Sequence, residues 1–97
     1  MKLSSKDIEL IKQVLKEKPV KRAFLFGSFI RGEADRNSEV DILVELDYSK
    51  HIGIGFVKIK NQLEEALNKK VDLVSENSLS QQILPFINQD KLLIYER

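Results

Sequence analysis

Three short stretches of this chain carry side chains that can do chemistry together: Gly27-Ser28, the pair Glu39 and Asp41, and Asp72. A glycine followed by a small hydroxyl residue lets the backbone turn sharply and lets a phosphate come close to it. Where a helix starts at such a turn, its first amides point donors and partial positive charge at the phosphate, and Ser28 adds a hydroxyl. Carboxylates two apart on a strand project from one face, with same-face positions about 7 Å apart. Such a pair can share Mg²⁺ ions, which take oxygen ligands at about 2.0–2.1 Å and accept phosphate oxygens in the remaining positions. Asp72 would complete the cage, either by holding an ion or by accepting a proton. Two ions about 3.5–4 Å apart activate an attacking hydroxyl and stabilise the leaving phosphate oxygens. The residue types thus describe a site for a metal-bound nucleotide.

Each piece needs an element to hold it. The apolar stripe Ile8, Ile11 and Leu15, widened by Leu10 and Val14, predicts a helix over Ser5–Glu17, capped by Ser4 with Asp7 three residues on and stopped by Pro19. Val20–Phe26, bounded by Pro19 and Gly27, reads as a buried strand. Ser28 is then expected to cap a short helix over Phe29–Ala34, with Gly32 inside it, before the turn Asp35-Arg36-Asn37-Ser38. Glu39–Asp47 alternates strictly: even positions are apolar and odd ones acidic, Leu43 excepted. That is a half-buried strand with Glu39 and Asp41 on one face. Phe56, Ile59, Leu63, Ala66 and Leu67 predict a second long helix over Gly55–Asn68, entered through Gly53 and Gly55. Val71–Val74 is a short strand containing Asp72, and Ser75–Ser78 a polar connection. Leu79–Asn88 reads as helical, with Pro85 interrupting it or starting a separate last helix, and Leu92–Tyr95 can close the sheet.

Composition narrows the functions open to such a fold. Ninety-seven residues fit one domain, residues 1–97, with an ordinary core. Sixteen basic against fifteen acidic residues leave a net charge of +1, which removes the pull behind strong nonspecific nucleic-acid or membrane binding. Without cysteine there is no disulfide or thiolate metal site, and His51 alone cannot build a zinc centre, so a metal here is held by oxygen. Met1–Glu9 lacks a signal-peptide core and no run spans a membrane, which makes the cytoplasm the expected compartment.

Each singled-out residue also has a plainer reading. Gly27-Ser28 alone is a strand break with a helix cap. Glu39, Asp41, Glu45 and Asp47 can be one solvated strand face, although four like charges repel unless cations or basic neighbours offset them. Asp72 is costly if buried unpaired but unremarkable on an exposed edge strand. Lys21 and Arg22 are expected as surface charges, Lys58 and Lys60 as a solvated helix face, and His51 in a loop. Tyr48 and Tyr95 are weak candidates for stacking on a base.

The run Gly27-Ser28-Phe29-Ile30-Arg31-Gly32-Glu33-Ala34 followed by Ser38-Glu39-Val40-Asp41-Ile42-Leu43-Val44 resembles the DNA polymerase β-like nucleotidyltransferase superfamily, and within it the minimal nucleotidyltransferases. That group carries Gly-Ser, ten residues, then Asp-x-Asp on a strand and a later lone Asp. Here ten residues separate Ser28 from Glu39, and Asp72 sits in Val-Asp-Leu-Val, so the resemblance spans nearly the whole chain. It implies a small α/β (α+β) domain with a mixed sheet of three or four strands and helices mainly on one side. It further implies Gly27, Ser28 and Arg31 at the nucleotide, with Arg31 reaching the triphosphate or bracing the loop through Asp35. Glu39, Asp41 and Asp72 become the catalytic and metal-holding carboxylates, for Mg²⁺ or Mn²⁺ with ATP as substrate.

The implied reaction moves AMP from ATP to an acceptor hydroxyl with loss of pyrophosphate. Proteins of this kind commonly pair with a helical HEPN-domain toxin as its antitoxin, some by adenylylating a toxin tyrosine. Chain length leaves no room for the added acceptor domain of the antibiotic- and tRNA-modifying members, so the acceptor surface is expected on a partner; a homo-oligomer is left open. One residue departs from the pattern. Glu39 stands where the group has Asp, and its extra methylene overshoots an Asp-shaped site by about 1.5 Å unless it folds back. The rival reading is therefore a binding module that neutralises its partner by masking it.

Overall fold

A computed structural model describes residues 2–50, 52–53 and 55–97; the expectation for His51 falls outside them. The first helix, α1 (Ser5–Leu15), starts as expected: the Ser4 hydroxyl accepts from the Asp7 amide at 3.0 Å while the Asp7 carboxylate accepts from the Ser4 amide. It ends two residues before the expected Glu17, in turns that lead into Pro19. Strand β1 (Val20–Phe26) has the predicted bounds. The short helix α2 (Ser28–Arg31) differs from expectation: Gly27, not Ser28, is its N-cap, and Gly32 ends it rather than lying inside it. Both glycines have positive φ, +78° and +76°, which side-chain-bearing residues rarely adopt, so the two brackets of this turn are set by backbone freedom rather than by a hydroxyl cap.

Strand β2 (Val40–Leu46), helix α3 (Gly55–Leu67) and strand β3 (Val71–Ser75) form a crossover that pairs β2 with β3 in parallel. Asn68, at φ +53°, turns the chain out of α3, and the Glu64 carboxylate accepts from the Val71 amide at 2.9 Å, fixing the entry to β3. Of the two alternatives for Leu79–Asn88, the structure takes the second: after a 3₁₀ turn at Glu76–Ser78 and a further turn, Pro85 stands in the first turn of a separate helix, α4 (Leu84–Asp90), where a missing amide hydrogen costs nothing. Strand β4 (Leu92–Glu96) completes a four-stranded sheet of order β3-β2-β1-β4, mixed because only β2–β3 is parallel.

Two apolar clusters cover the two faces of the sheet. On one, α1 and α3 insert Ile11, Leu15, Ile59 and Leu63 against Ala23, Leu25, Val40, Ile42, Val44 and Ile94, all buried. A shift of pairing between Val20 and Arg22 lets Val20 join that face although it lies three residues before Ala23. On the other face, Phe24, Leu43 and Ile87 of α4 make a smaller cluster. Leu43 broke the acidic alternation for this reason: it sits under α4. The two acids that follow it, Glu45 on the strand and Asp47 just beyond it, are offset by basic partners. Glu45 pairs with Arg22 at 2.7 Å, and Asp47 with the Arg97 guanidinium at 2.8 Å.

Candidate active site

The acidic residues meet because of register. Along β2, Val40, Ile42 and Val44 point into the main core, so Asp41 points to the opposite face, the one that carries α4. Parallel pairing sets Asp72 of β3 directly beside Asp41, while the antiparallel β1–β2 ladder sets Phe26 on its other side. Strands about 4.8 Å apart then bring the two carboxylates together on one face. Glu39, one residue before β2, supplies the third. Carboxylate oxygens of Glu39, Asp41 and Asp72 all lie within 4.8 Å of one another. The longer Glu39 side chain therefore reaches the cluster. Asp72 is exposed on an edge strand, so its own burial argues nothing; its place opposite Asp41 is what draws it in.

Asp41 is the half-buried member and feels the crowding most. Burial, then the charges of Asp72 and Glu39, push its carboxyl up to about 6 against a small opposing pull from Arg31. A cation would relieve that excess of negative charge, and the all-oxygen donor set suits Mg²⁺ or Mn²⁺.

Gly27 closes the site from the end of β1. A Cβ added to it would fall on the Asp41 carboxylate, so the glycine is required by close approach as well as by φ. Ser28 follows as the first residue of α2, and the Gly27 carbonyl accepts from the Ile30 and Arg31 amides, both at 3.1 Å. Arg31 does not brace the loop through Asp35. Its guanidinium donates to Glu33 at 2.6 Å and to Asp90 of α4 at 3.4 Å, tying α2 to α4 across the cleft. Asp35 instead accepts from the Asn37 amide at 2.8 Å and folds its own turn.

A cleft of about 320 Å³ opens at this point, with Gly27, Arg31, Asp41 and Asp72 at one side and Ile83, Phe86 and Asp90 at the other. Glu39 borders a separate groove of about 650 Å³, walled by Lys60, Lys69 and Lys70. Neither Ile83 nor Phe86 was legible as a site residue; the available signal was an apolar pair three apart, on either side of Pro85. The two tyrosines lie elsewhere. Tyr48 lies beyond the far end of β2, whose rise from Asp41 to Leu46 is about 17 Å, and Tyr95 packs partly against the main core beside Ala23. Lys21 and Arg22 are exposed as expected, and so is Lys58.

Comparison with known proteins gives a consistent neighbourhood. The protein adenylyltransferase MntA of Thermococcus cleftensis is 38% identical over 82 residues, which are 79% of this chain and 82% of that one. A provisionally named protein adenylyltransferase of Methanocaldococcus jannaschii is 42% identical over 66 residues, 68% of this chain and 70% of its own. Among solved structures, a toxin–antitoxin crystallised with AMP-PNP superposes with a TM-score of 0.78 at 25% identity, covering 93% of this chain and 73% of that one. The family model described as polymerase beta, nucleotidyltransferase matches residues 9–97, a span that holds all four strands and every carboxylate of the cluster. On that extent, this chain belongs to the polymerase β nucleotidyltransferase family.

Proposed function

We propose that residues 1–97 act as one minimal nucleotidyltransferase domain that transfers AMP from ATP to a hydroxyl of a partner protein. The observation that carries this reading is the meeting of three carboxylates within 4.8 Å, beside a glycine that no side chain can replace. Glu39, Asp41 and Asp72 would hold Mg²⁺ or Mn²⁺. When bound, the metal supplies charge neutralisation for the triphosphate and lowers the pKa of the attacking hydroxyl.

In the transfer, the acceptor oxygen bonds to the α-phosphorus as the α–β anhydride bond breaks, and pyrophosphate departs. The hydroxyl proton goes to Asp72, which is exposed and stands next to Asp41 in the sheet. Gly27 keeps the backbone thin where phosphate must approach, and Ser28 offers a hydroxyl there. Arg31, already shared between Glu33 and Asp90, serves the nucleotide by holding α2 and α4 together at the cleft.

The named relatives support a protein as acceptor, and the toxin–antitoxin neighbour supports a toxin as that protein. The partner in this reading is a helical HEPN-type toxin, with this chain as its cytoplasmic antitoxin. Glu39 favours the second reading, a weakened site that neutralises by masking. Its carboxylate reaching the cluster favours the enzyme. Incubation with α-labelled ATP, Mg²⁺ or Mn²⁺ and the product of the adjacent reading frame separates them. Label should pass to the partner with wild type and fall by at least about a hundredfold with Asp41→Asn, the scale of losing a group that acts in the transition state. Equal neutralisation by both proteins with no label transferred would establish masking.

A further inference from the structure

Asp41 and Asp72 occupy one side of the cleft, and the other side, Asp90 apart, is apolar and exposed. Phe86 is 71% exposed and Ile83 52%, while Ile87 between them and Asp90 is buried against Phe24 and Leu43. Three residues apart at the start of α4, Ile83 and Phe86 fall on neighbouring positions of one side of that helix. Their direction is fixed twice over. Ile87 anchors the helix into the sheet, and Asp90 ties its last turn to Arg31 at 3.4 Å. An aromatic ring held in water on an anchored element, in the same cleft as Gly27, Asp41 and Asp72, is a surface prepared for a flat partner.

A nucleoside triphosphate is divided in the same way: charge at the phosphates, an apolar π-face at the base. Resting on the reading that the phosphates lie at Asp41 and Asp72, we propose that Phe86, with Ile83 beside it, is the platform on which the nucleobase stacks. Two side chains bordering a cleft of about 320 Å³ suit one base better than a protein surface, which needs an area several times larger. Stacking accepts any base, because every base has a π-face. The platform therefore supplies affinity and little choice between ATP and GTP.

The chain has no tryptophan, so Phe86→Trp introduces a single indole reporter at the platform. Its fluorescence should be quenched by Mg·ATP and by Mg·GTP but not by Mg·tripolyphosphate. In calorimetry, Phe86→Ala should weaken Mg·ATP roughly five- to a hundredfold, the range of one lost base–aromatic stack. Tripolyphosphate affinity should stay the same, and Phe86→Tyr should restore ATP. Because Phe86 is exposed, the melting curve of Phe86→Ala should overlay that of wild type. The platform is overturned if Phe86→Ala binds Mg·ATP as wild type does while Asp41→Asn does not, a result that leaves the phosphate site standing. Equal loss of ATP and tripolyphosphate, or equal quenching by both, also overturns it. Wild type that binds neither Mg·ATP nor Mg·tripolyphosphate removes the phosphate site and the platform together. An unchanged ATP affinity with lost labelling of the partner protein would assign Phe86 to protein docking instead.

Discussion

At the scale of single residues, the site is a crowd of negative charge in which one carboxyl is held above its ordinary range. Asp41 is raised to about 6 from an ordinary 3.8, chiefly by burial and then by Asp72 and Glu39. A raised carboxyl is protonated more readily in the folded chain than in the unfolded one, so between about pH 4 and 6 the metal-free fold gains stability as pH falls, and above 6 it carries the full cost of ionised Asp41. Metal needs the ionised form, so Mg²⁺ affinity should decline below about pH 6. Carboxyl-carbon NMR of Asp41 should show a midpoint near 6 that moves down when Mg²⁺ is added; a midpoint near 3.8 without metal would contradict the crowding. Gly27→Ala places a methyl on the Asp41 carboxylate and asks alanine to hold φ +78°. Adenylyl transfer should fall at least about a hundredfold and stability by about 1–3 kcal/mol, checked by labelling and by urea denaturation. That Gly27, Glu39 and Asp41 belong together was legible in their local spacing, whereas Asp72, 31 positions beyond Asp41, was singled out by its apolar setting and by the resemblance. Phe86 and the Arg31–Asp90 link were not, since 59 positions separate the link's partners and no local pattern announces a contact of that reach.

Elements were legible wherever one physical cause decided them. Val20–Phe26 lies between Pro19 and Gly27 and has no competing structure, and the Ser4–Asp7 box announces α1 outright. The short helix was misjudged because Ser28 is a good cap by type, yet the positive φ of Gly27 had already turned the chain and its carbonyl took the first amides. Pro85 carried both possible meanings, and only packing of Ile87 under the sheet selected the helix start. The burden of positioning the site falls on α3, which must return the chain so that β3 runs parallel to β2. Leu63 of α3 is fully buried, so Leu63→Ala should cost about 2–5 kcal/mol by chemical denaturation. Val57 on the same helix is 54% exposed, and Val57→Ala should change stability by no more than about 0.5 kcal/mol. Equal costs at both positions would mean that α3 does not lie on the sheet as described.

For the whole molecule, a mixed sheet of three or four strands with helices mainly on one side was what the resemblance implied; the order β3-β2-β1-β4 and the second, smaller cluster beneath α4 are what the structure adds. No helix among the described residues is long and apolar enough to cross a membrane. The sheet has two edges, β3 and β4, and only β3 brings a carboxylate to the triad. Asp72 and Asp41 come from strands joined through α3, so peeling β3 away takes the cluster apart while peeling β4 does not. A ligand that spans both carboxylates must therefore act as a clasp on one margin of the protein. Deuterium uptake should slow at the Val71–Ser75 amides when Mg·ATP is added and stay the same at Leu92–Glu96. The same asymmetry makes loss of nucleotide affinity an early sign of fraying, arriving while circular dichroism still reports an intact fold.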